Sequence, residues 1–417
     1  MPTLFKPLAR AFLVGDPNFD SVLERAARML GKPFRWLRPV VRRYLRSFSN
    51  GVRPRHREVV AFLRTQPALA RRRPIRDWLT EPQVMQPVPA AAGWQIPAIE
   101  SSGALAEWLR ITPTELDWFA DLKGLNRYEP LGHYHYRVLS KGGGNVRVIE
   151  APKPRLKAIQ KLILTEIVEK IPTHPAVHGF RKGRSVLTFV TPHVAQRVVL
   201  RMDLADFFPG IPGVRIQTLF RAAGYPEPVA DLLGGICTNA VPRSLAPPSI
   251  YRRPHLPQGA PTSPALANLC AYRLDCRLTG LAQSAEAQYT RYADDMAFSG
   301  GAKFERSVEN FLLHAAAIAM EEGFAVNHRK TRVMRQGVRQ HLAGLVTNTR
   351  INVMRPDYDR LKATLTNCVR HGPESQNREG HAKFREHLQG RVAFVESINR
   401  AKGERLRALL EKIVWPV

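Results

Sequence analysis

The sequence predicts an α+β fold in which a small antiparallel sheet carries carboxylates and helices supply most of the rest. Three observations lead there. Residues Gln288 to Gly300 read Gln-Tyr-Thr-Arg-Tyr-Ala-Asp-Asp-Met-Ala-Phe-Ser-Gly, two strand-favouring runs joined by a tight turn with Ala-Asp-Asp at its tip. Residues Val198 to Phe208 form a second apolar strand candidate that runs into a carboxylate, Asp203. Long stretches on either side of these segments repeat apolar residues at helical spacing.

Charge narrows the class of partner. The 417 residues hold 63 Lys and Arg against 35 Asp and Glu, a formal net charge of +28. Such a field points to a polyanion, most simply nucleic acid, with a membrane surface as the competing reading. No apolar run approaches the roughly 20 residues that a bilayer span needs, so nothing is expected to span a membrane, and with nucleic acid the simpler partner no membrane is expected among the partners. The N-terminus lacks the basic start, apolar run and small-residue cleavage site of a signal peptide, so a cytoplasmic location is expected. Cys237, Cys270, Cys276 and Cys368 form no close pair, which argues against a zinc site or disulfide framework and for buried thiols.

In chain order, residues 1–100 carry 18 basic and 7 acidic side chains, a net of +11, and are expected to be a basic, mainly helical N-terminal extension. Ser21 to Leu30 and Pro39 to Phe48 have helical apolar spacing with arginines on the other face. Arg71-Arg72-Arg73 is a further basic cluster, and the proline-rich stretch Glu81 to Ile99 reads as a linker. A folded α/β composition begins at Ser101. Ser102 to Arg110 is one predicted helix, and the next starts with Thr112 as cap and Pro113 in its first turn. His133 to Ser140 and Val146 to Ala151 alternate like paired strands around a Lys141-Gly-Gly-Gly144 turn. Helices are predicted over Leu156 to Ile171, Arg215 to Ala223 and Pro228 to Thr238. The rigid loop Leu256-Pro-Gln-Gly-Ala-Pro-Thr-Ser-Pro264 leads into a single predicted helix, Ala265 to Leu281. After the Asp-Asp turn come a helix over Phe304 to Glu322, a short strand at Gly323 to Asn327 and two short strands within Val338 to Val353. The pattern from Pro356 onward is helical, interrupted by a polar loop at His371 to Gly380.

An isolated Asp-Asp pair is more often a polar turn than a site. Asp203 changes that balance. If the two strand candidates lie side by side, Asp203, Asp294 and Asp295 surround a pair of divalent ions, the arrangement two-metal phosphoryl transfer uses. Mg²⁺ suits such a site, because it prefers carboxylates, water and substrate phosphates to a full protein cage, and Mn²⁺ is an alternative.

At this point the sequence closely resembles the reverse transcriptases, within them the bacterial retron type, over about residues 105–415. Asp203-Leu-Ala-Asp-Phe-Phe208, the loop 256–264 and Tyr292-Ala-Asp-Asp295 resemble the first three palm motifs. Gly323 to Lys330 resembles the fourth, and His341-Leu-Ala-Gly-Leu-Val346 the hairpin that grips the primer. Arg147-Val-Ile-Glu-Ala-Pro152 and Leu156-Lys-Ala-Ile-Gln160 are similar to the fingers. The resemblance implies a right-hand polymerase, with fingers and palm over 101–345 and a helical, RNA-binding thumb over 346–417. It implies metal binding by Asp203, Asp294, Asp295 and the Leu204 carbonyl. It also implies nucleotide contacts from Lys141, Arg147 and Gln258, and a sugar gate at Phe208. Lys330 becomes a candidate general acid for pyrophosphate release. Tyr292, His193 and Gly344 fall at positions that the family places near RNA or primer.

Retron enzymes usually carry Asn-Ala-x-x-His upstream of the first palm motif; here Phe189-Val-Thr-Pro-His193 keeps only the histidine. They commonly read Val-Thr-Gly where this chain has Leu342-Ala-Gly344. The leading expectation is a retron reverse transcriptase that uses deoxynucleoside triphosphates to copy part of a structured non-coding RNA. Synthesis would start from a 2′-OH and leave a branched RNA–DNA, in antiphage defence and with a possible effector protein. The absence of a nuclease or maturase segment before Val417 argues against a mobile group II intron enzyme. An intron-like or other defence reverse transcriptase is the alternative within enzymes, and an RNA-binding scaffold with an inactive polymerase fold is the alternative outside them.

Overall fold

Apolar residues recurring every three to four positions give the described N-terminal residues four helices: α1 Phe5–Leu13, α2 Phe19–Leu30, α3 Leu37–Ser47 and α4 His56–Arg64. In α3 the buried set is Leu37, Val40, Val41 and Tyr44, one stripe of an amphipathic helix. Asn18 caps α2 by accepting from the Ser21 amide, and Gly31 ends it at φ +80°, a conformation that favours glycine. The four helices enclose their own core, which includes Leu8, Phe12, Val22, Met29, Val59 and Leu63.

These helices belong to the first of two compact units in this computed structural model, which describes residues 4–49, 52–69, 83–125, 132–140, 146–245 and 248–415. The first unit comprises Met1–Thr173 and Asp206–Cys270, the second His174–Ala205 and Ala271–Val417. The Arg71–Arg73 cluster and the Lys141–Gly144 turn lie outside the described residues.

The first unit continues with α5 Ser102–Leu109 and α6 Pro113–Ala120, the latter opened by a capping box between Thr112 and Glu115. Strands β1 Tyr134–Ser140 and β2 Val146–Pro152 pair antiparallel, and α7 Pro154–Glu166 follows. Farther on come α9 Gly213–Ala222, α10 Glu227–Ile236 and α11 Ser263–Cys270. Residues 83–99, read as a linker, run along the end of α9: Gln86 and Val88 donate their amides to Gly224 and Ala222 at 2.8 and 3.1 Å. The single helix predicted over Ala265 to Leu281 is two helices. Ala271 leaves helical geometry (φ −86°, ψ 4°), and beside the break the Arg215 guanidinium donates to the Cys270 carbonyl at 2.6 Å.

The second unit is built on an antiparallel sheet. Its strands are β3 Val198–Ala205, β4 Ala287–Tyr292, β5 Asp295–Gly300, β6 Ala325–Val326 and β7 Arg332–Arg335. The order is β4-β5-β3, and the free edge of β3 is shared by β7 at Val198–Arg201 and β6 at Leu204–Ala205. Strand β7 was not anticipated from sequence. Both faces of β3 are covered along its first half, which explains its unbroken apolar run. One face packs on α13 Ala302–Glu321, where Phe298, Phe304 and Phe311 meet edge to face. On the other, Val199 and Ala297 join a core with α8 Val186–Val190 and the C-terminal helices α14 Arg355–His371, α15 Phe384–Ile398 and α16 Arg400–Leu410. Helix α12 Tyr272–Ser284 packs on β4. Where two short strands were expected there are three, β8 His341–Leu342, β9 Leu345–Val346 and β10 Asn352–Val353, in one small sheet. Among the cysteines, Cys237, Cys270 and Cys368 are buried as expected, whereas Cys276 is exposed on α12. No described helix is long and apolar enough to cross a membrane.

Candidate active site

Strand register brings two of the three carboxylates face to face, and the adjoining turn carries the third. Asp203 on β3 stands directly opposite Asp295, the first residue of β5. Asp294 occupies the β4–β5 turn, and its carbonyl accepts the Leu204 amide at 2.9 Å, which ties the turn to β3. Like charges directly opposite on one sheet face repel, and here cations offset the repulsion. Lys330 Nζ lies 2.8 Å from Asp203 Oδ2, and Arg201 donates from Nε and Nη2 to Asp295 Oδ1 at 3.0 and 2.8 Å. Asp203 is almost fully buried, whereas the Lys330 side chain is 52% exposed. Burial, with further contributions from Asp203 and Asp295, raises the pKa of Asp294 above the ordinary carboxylate value.

Arg201 escaped the sequence reading, although the signal was present. Residues two apart on a strand share a face, so Arg201 was bound to lie beside Asp203 and diagonal to the residue opposite it. Along that face β3 changes from apolar Val199 to cationic Arg201 to anionic Asp203.

The back of the hairpin is held differently. Arg291 and Asp275 are both fully buried and meet through two bonds of 2.7 Å, while Tyr289 donates to the same carboxylate at 2.8 Å. Arg291 also donates to the Ala293 carbonyl at 2.9 Å, inside the turn itself. Ala293 sits at φ +56° and Asp294 does not have positive φ, the pattern of a mirrored two-residue hairpin turn. Loop 176–179 is laced to β4 by the amides of Arg291 and His178, each bonded at 2.8 Å. A side chain at Gly179 would place its Cβ 2.7 Å from the Ala293 amide, so only glycine lets this loop approach the turn.

His193, expected near RNA or primer, is wholly buried: Nδ1 bonds Ser299 Oγ at 2.6 Å and Nε2 bonds Thr290 Oγ1 at 2.7 Å, bridging β5 to β4. Burial, with His178 adding to it, lowers its pKa to about 3, so the ring is neutral. Tyr292 is half-buried against Phe180 and Phe189. Gly344, at φ +81°, follows Ala343 in the turn between β8 and β9.

Three of the four proposed nucleotide-contacting residues lie together in the first unit. Phe208 is in the turn that directly follows β3, and this turn joins the 256–264 loop through the Leu256 amide and Ile211 carbonyl at 3.2 Å. The loop in turn meets β2, where the Glu150 amide donates to the Gln258 carbonyl at 2.9 Å. A Cβ at Gly259 would come within 2.8 Å of the Glu150 carbonyl. The Glu150 side chain, fully buried, bonds His255 Nε2 at 2.9 Å and Asn239 Nδ2 at 2.7 Å, a clamp that sequence reading missed because its members are about a hundred residues apart. Arg147, also on β2, has a buried Nε with no hydrogen-bond partner among the described residues. Lys141, the fourth, lies outside them.

Among the described residues no group of three His, Cys, Asp or Glu is gathered as a ready metal cage. The donor set nevertheless fits a hard divalent cation, being all oxygen and crowded with like charge, although Lys330 and Arg201 now occupy places such an ion would take.

Comparison with known proteins decides the family. The profile of the reverse transcriptase (RNA-dependent DNA polymerase) family matches residues 139–356. The chain is 37% identical to the retron Mx65 reverse transcriptase of Myxococcus xanthus, across 94% of this chain and 86% of that protein. The chain belongs to the retron-type reverse transcriptases. This reverse transcriptase is also 36% identical to the retron Mx162 enzyme of M. xanthus, over 76% of the chain and 67% of the relative. With the retron Ec86 enzyme of Escherichia coli it shares 31% identity over 67% of the chain and 80% of the relative. As a member of this family it is an RNA-directed DNA polymerase.

Proposed function

We propose that Asp203, Asp294 and Asp295 are the catalytic carboxylates of this polymerase and hold two Mg²⁺ ions, which Mn²⁺ can replace, with help from the Leu204 carbonyl. The cross-strand pairing of Asp203 with Asp295, with Asp294 bonded back to Leu204, carries this reading. Bound divalent ions would supply acidity to the attacking hydroxyl and charge neutralisation at both reacting oxygens. The chain's own residues do the rest. Lys330 leaves Asp203 and gives a proton to the departing pyrophosphate. Arg147, aided by Lys141, meets the triphosphate, for which its unpartnered buried Nε is suited. Gln258 contacts the incoming nucleotide and Phe208 rejects a 2′-OH. Tyr292 and Gly344 border the primer. In this reading residues 101–345 are fingers and palm, and 346–417 a thumb.

We further propose, from kinship with retron enzymes, that the protein copies part of a structured non-coding RNA from a 2′-OH, leaving a branched RNA–DNA that serves antiphage defence. Purified protein given its flanking transcript and deoxynucleotides should make DNA covalently joined to RNA, visible as a product that shifts on debranching. If every product carries an ordinary 3′-primed junction, the retron step is refuted while the polymerase stands.

A further inference from the structure

The N-terminal helices contain a cationic surface that the polymerase chemistry leaves unused. Between Glu24 and Glu58 the chain has eleven Arg and Lys residues and no acidic one. Helix α3 sorts them. Its apolar stripe faces the module's own core, and Arg38, Arg42 and Arg46 stand on the opposite, exposed side. Four-residue spacing puts neighbouring cations about 6 Å apart along the helix axis. Arg35, just before the helix, extends the row, and Arg43 flanks it with a bond to Gln66 Oε1 at 3.0 Å. Arg35, Arg38 and Arg46 form no ion pair among the described residues.

Cations that hold the module together are of another kind. Arg25 is buried and donates to the carbonyls of Ala11 and Asp16. Arg55 reaches Gln217 Oε1 at 2.6 Å and lies 3.7 Å from Asp231, and the His56 amide donates to Glu227 at 2.6 Å. These contacts anchor the module to α9 and α10 of the same unit. Within the α3 row Arg42 lies over the Phe19 ring at 5.4 Å, whereas Arg35, Arg38 and Arg46 make no ion pair among the described residues, and a helix face of like charges is destabilising unless a partner neutralises it.

We propose that the exposed α3 face, with Arg35, Arg38, Arg42 and Arg46 at its centre, docks the phosphate backbone of a double-helical RNA stem. Guanidinium groups suit phosphate oxygens geometrically, and a rigid row of them reads shape and charge, not base sequence. RNA is the favoured source because the enzyme's template is RNA. The surface lies outside the carboxylate site, so a wrong assignment of one leaves the other intact.

The test uses the full chain with Arg38, Arg42 and Arg46 all changed to Glu, and a milder version with all three changed to Gln. The probes are a synthetic RNA hairpin with a fully paired stem, a DNA hairpin of matching sequence and a short pre-annealed primer–template. Removing three phosphate contacts should weaken RNA-hairpin binding at least tenfold for Glu and less for Gln. The slope of log affinity against log salt should become shallower by about two to three. Extension of saturating primer–template should be unchanged. Unaltered hairpin affinity and salt slope in the Glu variant overturn the proposal and leave the face for a protein partner. An equal loss on the DNA hairpin overturns the assignment to RNA. Loss of binding with a collapsed circular-dichroism spectrum in both variants also overturns it, since it would show the row to be structural.

Discussion

The two sides of the β4–β5 hairpin hold charge in opposite ways. On the carboxylate face, Lys330 and Arg201 meet Asp203 and Asp295 through partly exposed contacts. On the back, Arg291 and Asp275 meet with no exposure at all, and Tyr289 completes their bonding. Exposed pairs are worth little and exchange partners readily. A buried pair is costly to break, because the survivor is left charged in a low-dielectric interior. The difference divides labour within a few residues: the back pins the turn from within, and under the proposed function the front would exchange Lys330 and Arg201 for divalent ions.

The largest test strikes the front. Changing Asp294 and Asp295 to Ala should lower nucleotide incorporation by more than about 10³-fold and leave RNA binding intact. Unchanged synthesis would remove the site assignment altogether. The next strikes the back. Arg291→Leu alone should cost about 3–5 kcal/mol in chemical denaturation, and Arg291→Leu with Asp275→Leu should recover much of it. A loss below about 1 kcal/mol for the single variant would mean the pair is not a lock.

Lys330→Gln separates the front pair from a structural one. Loss of a general acid should reduce kcat about 10²-fold at near-constant KM, while removing the ammonium from Asp203 should lower the metal concentration needed for half-activity. A stability loss with neither kinetic change would make the pair merely structural. The smallest effect concerns His193. An ordinary histidine titrates near 6.5 and this one near 3, so as pH falls the unfolded chain takes the proton first. Stability should therefore drop from about pH 6.5 downward, by up to about 1.4 kcal/mol per pH unit. His193→Gln should flatten that slope, as followed by thermal melting across pH.

Local chemistry was legible in the sequence. The hairpin, its Ala-Asp-Asp tip, the strand carrying Asp203, the Thr112–Glu115 cap and the stripes of α2 and α3 all rest on neighbours within a few positions. What stayed hidden depends on distant partners. The residue before the break at Ala271, Cys270, is bonded by Arg215, 55 residues away. His193 reads as a polar residue in an RNA-facing motif until Thr290 and Ser299, about a hundred residues on, close around it. Strands β6 and β7 are too short to announce that they share one edge of β3. Arg201 was the exception, since alternation along β3 could have placed it.

The central claim is that these three aspartates gather a divalent cation. It is tested most directly by titrating Mn²⁺ into the protein with a non-hydrolysable deoxynucleotide and counting bound ions by electron paramagnetic resonance. Wild-type protein should bind Mn²⁺, and Asp203→Asn with Asp294→Asn should abolish that binding while the fold, followed by circular dichroism, persists. Equal Mn²⁺ binding by the folded double variant would contradict the account.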